Sequence, residues 1–151
     1  TTKEMTAAIA AERWRVLRTE GNLNNLVGLP LTLLRLTPEH EVAVVELGMN
    51  RAGEIRRLAK IAAPGVGVVT NIGPVHLEGV GGIAGVAAAK AEIFEGIEPG
   101  GTAVLNADDP ATPGLAARWR GRSAAGPGRW LWPRVRWRRW RHRGRSGRRP
   151  G

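Results

Sequence analysis

The sequence predicts an α/β domain, a parallel sheet with helices on both faces, followed by a tail that belongs to no such fold. Three observations predict it. Residues 42–47, 66–70 and 102–106 are short, nearly continuous apolar runs with β-branched residues, the pattern of strands covered on both faces. Helical periodicities lie between them, and strands alternating with helices imply right-handed βαβ units and a parallel sheet. The charges divide the chain in two. Residues 1–109 carry 13 acidic and 10 basic side chains, a net −3, whereas the last 42 residues carry 13 Arg and no acid. The whole-chain charge of +10 therefore describes neither part.

In chain order, residues 3–14 read as an amphipathic helix, with Met5, Ala8, Ile9 and Val16 assigned to its apolar side. No cap is visible before it, so sequence is expected to precede Thr1. A short extended stretch follows at 16–19, then a Gly/Asn loop at 21–25. An apolar helix spans about 25–36, with Pro30 near its first turns, where proline is best tolerated. The strand at 42–47 leads to a helix at 53–63, a strand at 66–70, a long helix at 82–97 and the strand at 102–106. In such sheets ligands gather beyond the carboxyl ends of the strands. That rule selects 46–50, 71–76 and 106–109.

Composition excludes several classes. Without cysteine there is no disulfide framework, thiolate nucleophile or cysteine metal site. No apolar run approaches the roughly 20 residues of a membrane span, and no signal-peptide pattern is present. A cytoplasmic location is the expectation.

At the selected strand ends, Glu46 closes a strand and precedes Gly48, which lets backbone approach a ligand. It reads either as a solvated or ion-paired acid or as an oxygen ligand. His76 follows T-N-I-G-P in a tight turn and reads as an exposed loop histidine or as a nitrogen ligand. Together they suit Mg²⁺, which keeps several waters and borrows substrate phosphates. Lys90 lies within the stripe Ile83, Val86, Ala87, Ile93, Phe94 and Ile97, so it faces the sheet. It either snorkels outward, gains an anionic partner, or loses its charge. A neutral amine is what carbamate formation with carbon dioxide requires.

The strings T-T-K-E-M (1–5), E-G-N-L-N-N-L-V-G-L-P-L-T-L-L (20–34), V-E-L-G-M-N-R-A-G-E-I (45–55), T-N-I-G-P-V-H-L-E-G (70–79), A-K-A-E-I-F-E (89–95) and L-N-A-D-D-P (105–110) resemble, in content and order, the central ATP-binding domain of the Mur ligase family. The resemblance implies a three-layer, P-loop-type parallel-sheet domain, truncated, covering residues 1–118. Within the family, the wording at 22–25 and 46–55 is similar to members that join D-alanyl-D-alanine to UDP-N-acetylmuramoyl-tripeptide in peptidoglycan precursor synthesis.

It further implies ATP-dependent, ADP-forming amide synthesis through an acyl phosphate, with ATP and Mg²⁺ as cofactors, by a monomer without a membrane partner. By the same resemblance Glu46 and His76 bind Mg²⁺, and Lys90 is a carbamylated lysine supporting one of the metals. Asn71 lies near the nucleotide phosphates, and the loop of Asn22, Asn24 and Asn25 faces the muramoyl substrate. Asn106 and Asp109, at the third strand end, read equally as a strand-ending turn. The family's phosphate-binding G-K-T precedes the stretch matching Thr1–Met5 and is absent from the chain. A fragment inactive on its own is therefore expected.

Residues 119–151 hold 12 Arg, 5 Trp, 6 Gly and 3 Pro and no acid, and are expected to be disordered. Arginine with tryptophan suits nucleic acid, through phosphate neutralisation and base stacking, or an anionic membrane surface. A non-catalytic remnant with a polyanion-binding tail is the corresponding functional alternative. These residue types are also those of GC-rich codons, so a reading-frame slip accounts for the abrupt onset after A-T-P-G-L-A-A-R-W.

Overall fold

The computed structural model describes residues 1–73, 77–106, 108–116 and 122–124. Helix α1 (Thr2–Ala11) leads into strand β1 (Val16–Arg18), helix α2 (Gly28–Leu33) and strand β2 (Val42–Val44). Helix α3 (Glu54–Ala62), strand β3 (Val66–Val69), the short helix α4 (Leu77–Val80) and helix α5 (Ile83–Ala91) follow. A 3-10 turn (Glu92–Glu95), strand β4 (Thr102–Leu105), helix α6 (Thr112–Ala116) and strand β5 (Arg122–Ala124) complete the order.

Among the described residues all strand pairing is parallel, as the alternation of elements predicts, and it forms two sheets rather than one. β1 pairs with β2 in the register Val16 to Val42, and β3, β4 and β5 pair in that order, with Val66 opposite Thr102 and Thr102 opposite Arg122. The expected burial of each strand on both faces is one-sided here. In β3 and β4, Gly67, Val69, Ala103 and Leu105 are buried while Val68 is exposed. The buried face packs against Ala91, Phe94, Ile97 and Leu115, drawn from α5, the segment after it and α6.

Three further expectations change. On α1 the apolar side chains Met5 and Ile9 are 65% and 73% exposed, and the buried line is Lys3, Ala7 and Ala10. Small side chains let the helix approach β1 and β2 closely, so contact distance selects this face over hydrophobicity. The helix expected at 82–97 stops at Ala91 and tightens into the 3-10 turn, and Ile83 is exposed. Within the segment expected to be a disordered tail, residues 122–124 form β5; the rest of 119–151 lies outside the described residues, as does His76.

Candidate functional site

Two polar clusters form at strand carboxyl ends. The first follows β1 and β2. The N–H of Glu46 donates to Thr19 Oγ1 at 3.0 Å, while the N–H of Thr19 donates to Val44 O at 3.1 Å, so the residue after β1 orients the residue that closes the β2 run. Asn24 Nδ2 donates to Glu46 Oε1 at 2.9 Å. Lys3 Nζ lies 4.0 Å from Glu46 Oε2 and donates to the carbonyls of Thr19 at 2.9 Å and Gly21 at 3.0 Å. A lysine buried to this depth requires such partners.

Gly48 is required by the same cluster. A Cβ there would stand 2.7 Å from Asn24 Oδ1, and the Gly48 N–H donates to Asn24 O at 2.7 Å. The loop asparagines thus divide their work: Asn24 holds Glu46, and Asn25 Oδ1 accepts the N–H groups of Val27 and Gly28 at the start of α2. Asn22 is exposed.

The second cluster follows β3 and β4. Lys90 is half-buried, and its Nζ donates to Asn71 O at 2.6 Å. Burial pushes its pKa below the ordinary lysine range, and the negative charge of Asp109 acts in the opposite direction. Asp109 is buried; its Oδ2 accepts the Ile72 N–H at 2.6 Å and its Oδ1 the Ala111 N–H at 2.9 Å. Asn106 Oδ1 accepts the Asp108 N–H at 3.0 Å, closing the turn that carries Asp109.

An apolar cluster ties the two strand ends together. Met49 is buried with Ile55 of α3 and with Val86 and Ala89 of α5, and Leu47 and Ile72 pack on them. The segments after β2 and β3 therefore share one support, as does the helix that presents Lys90. Glu46 keeps about 40% of its side chain exposed and offers a hard oxygen donor. Among the described residues no three of His, Cys, Asp or Glu gather into a metal cage. One carboxylate fits a Mg²⁺ that completes its shell with water and phosphate.

Sequence reasoning placed Glu46 and Asn71 at strand ends and Lys90 in an apolar helical stripe but missed Lys3 and Glu92. Lys3 shares a helical line with the small residues Ala7 and Ala10, a signal available in the sequence. Glu92 is 7% exposed and accepts the N–H groups of Gly53 at 2.7 Å and Arg56 at 3.1 Å, capping α3 from 36 or more residues away. No local pattern announces that partner.

Parallel βα units that collect a carboxylate, amide groups and a half-buried amine beyond their strands define an α/β protein of the ligand-binding, strand-end type. A family model, the Mur ligase middle domain, matches residues 1–124, and the chain belongs to the Mur ligase family. It is 52% identical over 107 residues to the UDP-N-acetylmuramoyl-tripeptide--D-alanyl-D-alanine ligase of Escherichia coli (strain K12), a match covering 71% of this chain and 24% of that protein. The ligase of the same name from Bacillus subtilis (strain 168) is 43% identical over 110 residues, covering 73% of this chain and 24% of the relative.

Among solved structures, MurF from Acinetobacter baumannii superposes with a TM-score of 0.79 at 41% identity, over 81% of this chain and 27% of that one. MurF ligase from Thermotoga maritima in complex with ADP gives 0.73 at 34% identity, over 81% and 28%. The chain spans about a quarter of the length of these relatives.

Proposed function

We propose that this chain is a section of an ATP-dependent amide ligase that joins D-alanyl-D-alanine to UDP-N-acetylmuramoyl-tripeptide, forming ADP and phosphate by way of an acyl phosphate. The observation that supports it most is that the strand ends carrying Glu46 and Asn71, and the helix that presents Lys90, share one apolar support in a chain of this family. Glu46 and His76 would hold Mg²⁺, which supplies charge neutralisation of the phosphates. Asn24 orients Glu46, leaving Asn22 as the loop amide that faces the muramoyl substrate. Asn71 stands on the nucleotide side, its carbonyl aligning Lys90.

Lys90 is read as the carbamylated lysine. Its neutral amine adds to carbon dioxide, forming an N–C bond and releasing one proton, and a lowered pKa increases the neutral fraction. Since the chain spans about a quarter of its relatives, pure 151-residue protein is expected to show negligible substrate-dependent ADP formation.

The test is a chimera in which this chain's matching segment replaces that of the E. coli relative, 52% identical over 107 residues. D-alanyl-D-alanine-dependent ADP formation is expected, reduced on the order of 100-fold or more by E46Q or K90A. A folded chimera that hydrolyses ATP but never incorporates the dipeptide would sink the substrate assignment.

A second reading rests on charge alone. Residues 1–124 contain 13 basic and 13 acidic side chains, whereas 125–151 add 10 Arg and no acid. That segment suits polyanion binding in a non-catalytic remnant.

A further inference from the structure

One peptide unit beyond β3 is held from both sides. Its carbonyl, that of Asn71, accepts Lys90 Nζ at 2.6 Å, and its N–H, that of Ile72, donates to Asp109 Oδ2 at 2.6 Å. A cation donating to the oxygen and a carboxylate accepting from the nitrogen polarise this peptide in the same sense, so each bond strengthens the other. Asp109 is well placed to act as the fixed end. It is 8% exposed, its second oxygen is occupied by the Ala111 N–H, and its own N–H reaches Asn106 O at 3.3 Å. The lysine is the longer and more adjustable arm.

We propose that Asp109 is the positioning residue of Lys90, acting through the Asn71–Ile72 peptide to set where the amine stands beyond β3. Its use in catalysis rests on the proposed role of Lys90. The carboxylate spans β4's exit turn and β3's exit loop, so it also fixes these two segments relative to each other. Asparagine cannot replace it, because Ile72 and Ala111 donate to different carboxylate oxygens and the amide nitrogen would set a donor against one of these donors.

The experiment uses the full 151-residue chain in bicarbonate-free buffer. Amide hydrogen exchange is followed at Ile72, and trace acetylation of Lys90 is measured relative to the exposed Lys60. In D109N, Ile72 exchange is expected to accelerate roughly tenfold and the Lys90-to-Lys60 acetylation ratio to rise roughly threefold or more, with Val69 and Leu105 unchanged. K90M approaches from the other end: it leaves residue 109 intact and is expected to shift the Ile72 amide resonance and speed its exchange.

An unchanged acetylation ratio in a folded D109N protein would show Asp109 to be a turn cap alone and overturn the proposal. If D109N does not fold, K90M decides, and an Ile72 amide indifferent to K90M overturns it equally. The reading of Lys90 is examined separately, by ¹³C-bicarbonate labelling of the native chain. A carbamate resonance absent there removes that reading while leaving the peptide grip as measured.

Discussion

At the scale of single residues, the site depends on a few contacts without slack. G48A places a Cβ 2.7 Å from Asn24 Oδ1, in a pair already joined through backbone. Asn24 must swing away and release Glu46, at a cost of about 1–2 kcal/mol in urea unfolding. An N24A background removes the three atoms that this Cβ approaches most closely, so the double-mutant cycle should recover most of that cost as coupling. Strict additivity would show that Gly48 is needed for another reason. Lys90 gives a pH signature. Its pKa is lowered by burial, so between that value and the ordinary lysine range the unfolded chain holds a proton that the folded chain has shed. Stability therefore rises with pH across that window, and K90M is expected to flatten the rise in denaturation curves collected at increasing alkaline pH. An equal slope in K90M would place the effect elsewhere.

At the scale of elements, Gly53 precedes α3 as its N-cap with a φ of +88° that suits glycine, and amides at this end are satisfied by Glu92 rather than by a neighbouring side chain. E92A leaves these part-buried donors without their carboxylate and is expected to cost about 1–3 kcal/mol. E95A removes only an exposed partner of Arg56, 2.8 Å away, and should cost less than about 1 kcal/mol. Similar urea midpoints for the two variants would contradict this division. Glu92 also explains why the predicted long helix ends early, since the 3-10 turn carries this carboxylate onto α3. Helix and strand identity was legible because apolar runs and periodicities are local properties. The buried face of α1 was legible only as a line of small residues, because Lys3, Ala7 and Ala10 are selected over the apolar side by how closely the helix approaches β1 and β2. Glu46 and Lys90 were legible from strand-end placement and stripe position. Thr19, Glu92 and the full weight of Asp109 depend on partners 27 to 39 residues away, which no sequence window contains.

At the scale of the molecule, the open matter is where the folded unit stops. The sequence suggests residue 118, where the wording of the family ends and the arginine-rich composition begins. β5 moves that limit outward: Thr102, Ala103 and Val104 of β4 pair with Arg122, Ser123 and Ala124, and the family match also runs to residue 124. A chain ending after residue 124 keeps this ladder and contains equal numbers of acidic and basic side chains. A chain ending after residue 118 turns β4 into an edge strand and leaves its outer amides and carbonyls to water. The shorter protein is expected to lose about 1–3 kcal/mol relative to the longer one, while the longer one unfolds at the same urea concentration as the 151-residue chain. The same pair separates fold from charge, because only the full chain carries the ten arginines of 125–151. Its retention on double-stranded DNA should weaken steeply as salt rises and be lost in the 124-residue form. Equal stability of the 118- and 124-residue chains would remove β5 from the folded unit, and salt-independent DNA binding by the 124-residue chain would place any polyanion site within the α/β domain instead of after it.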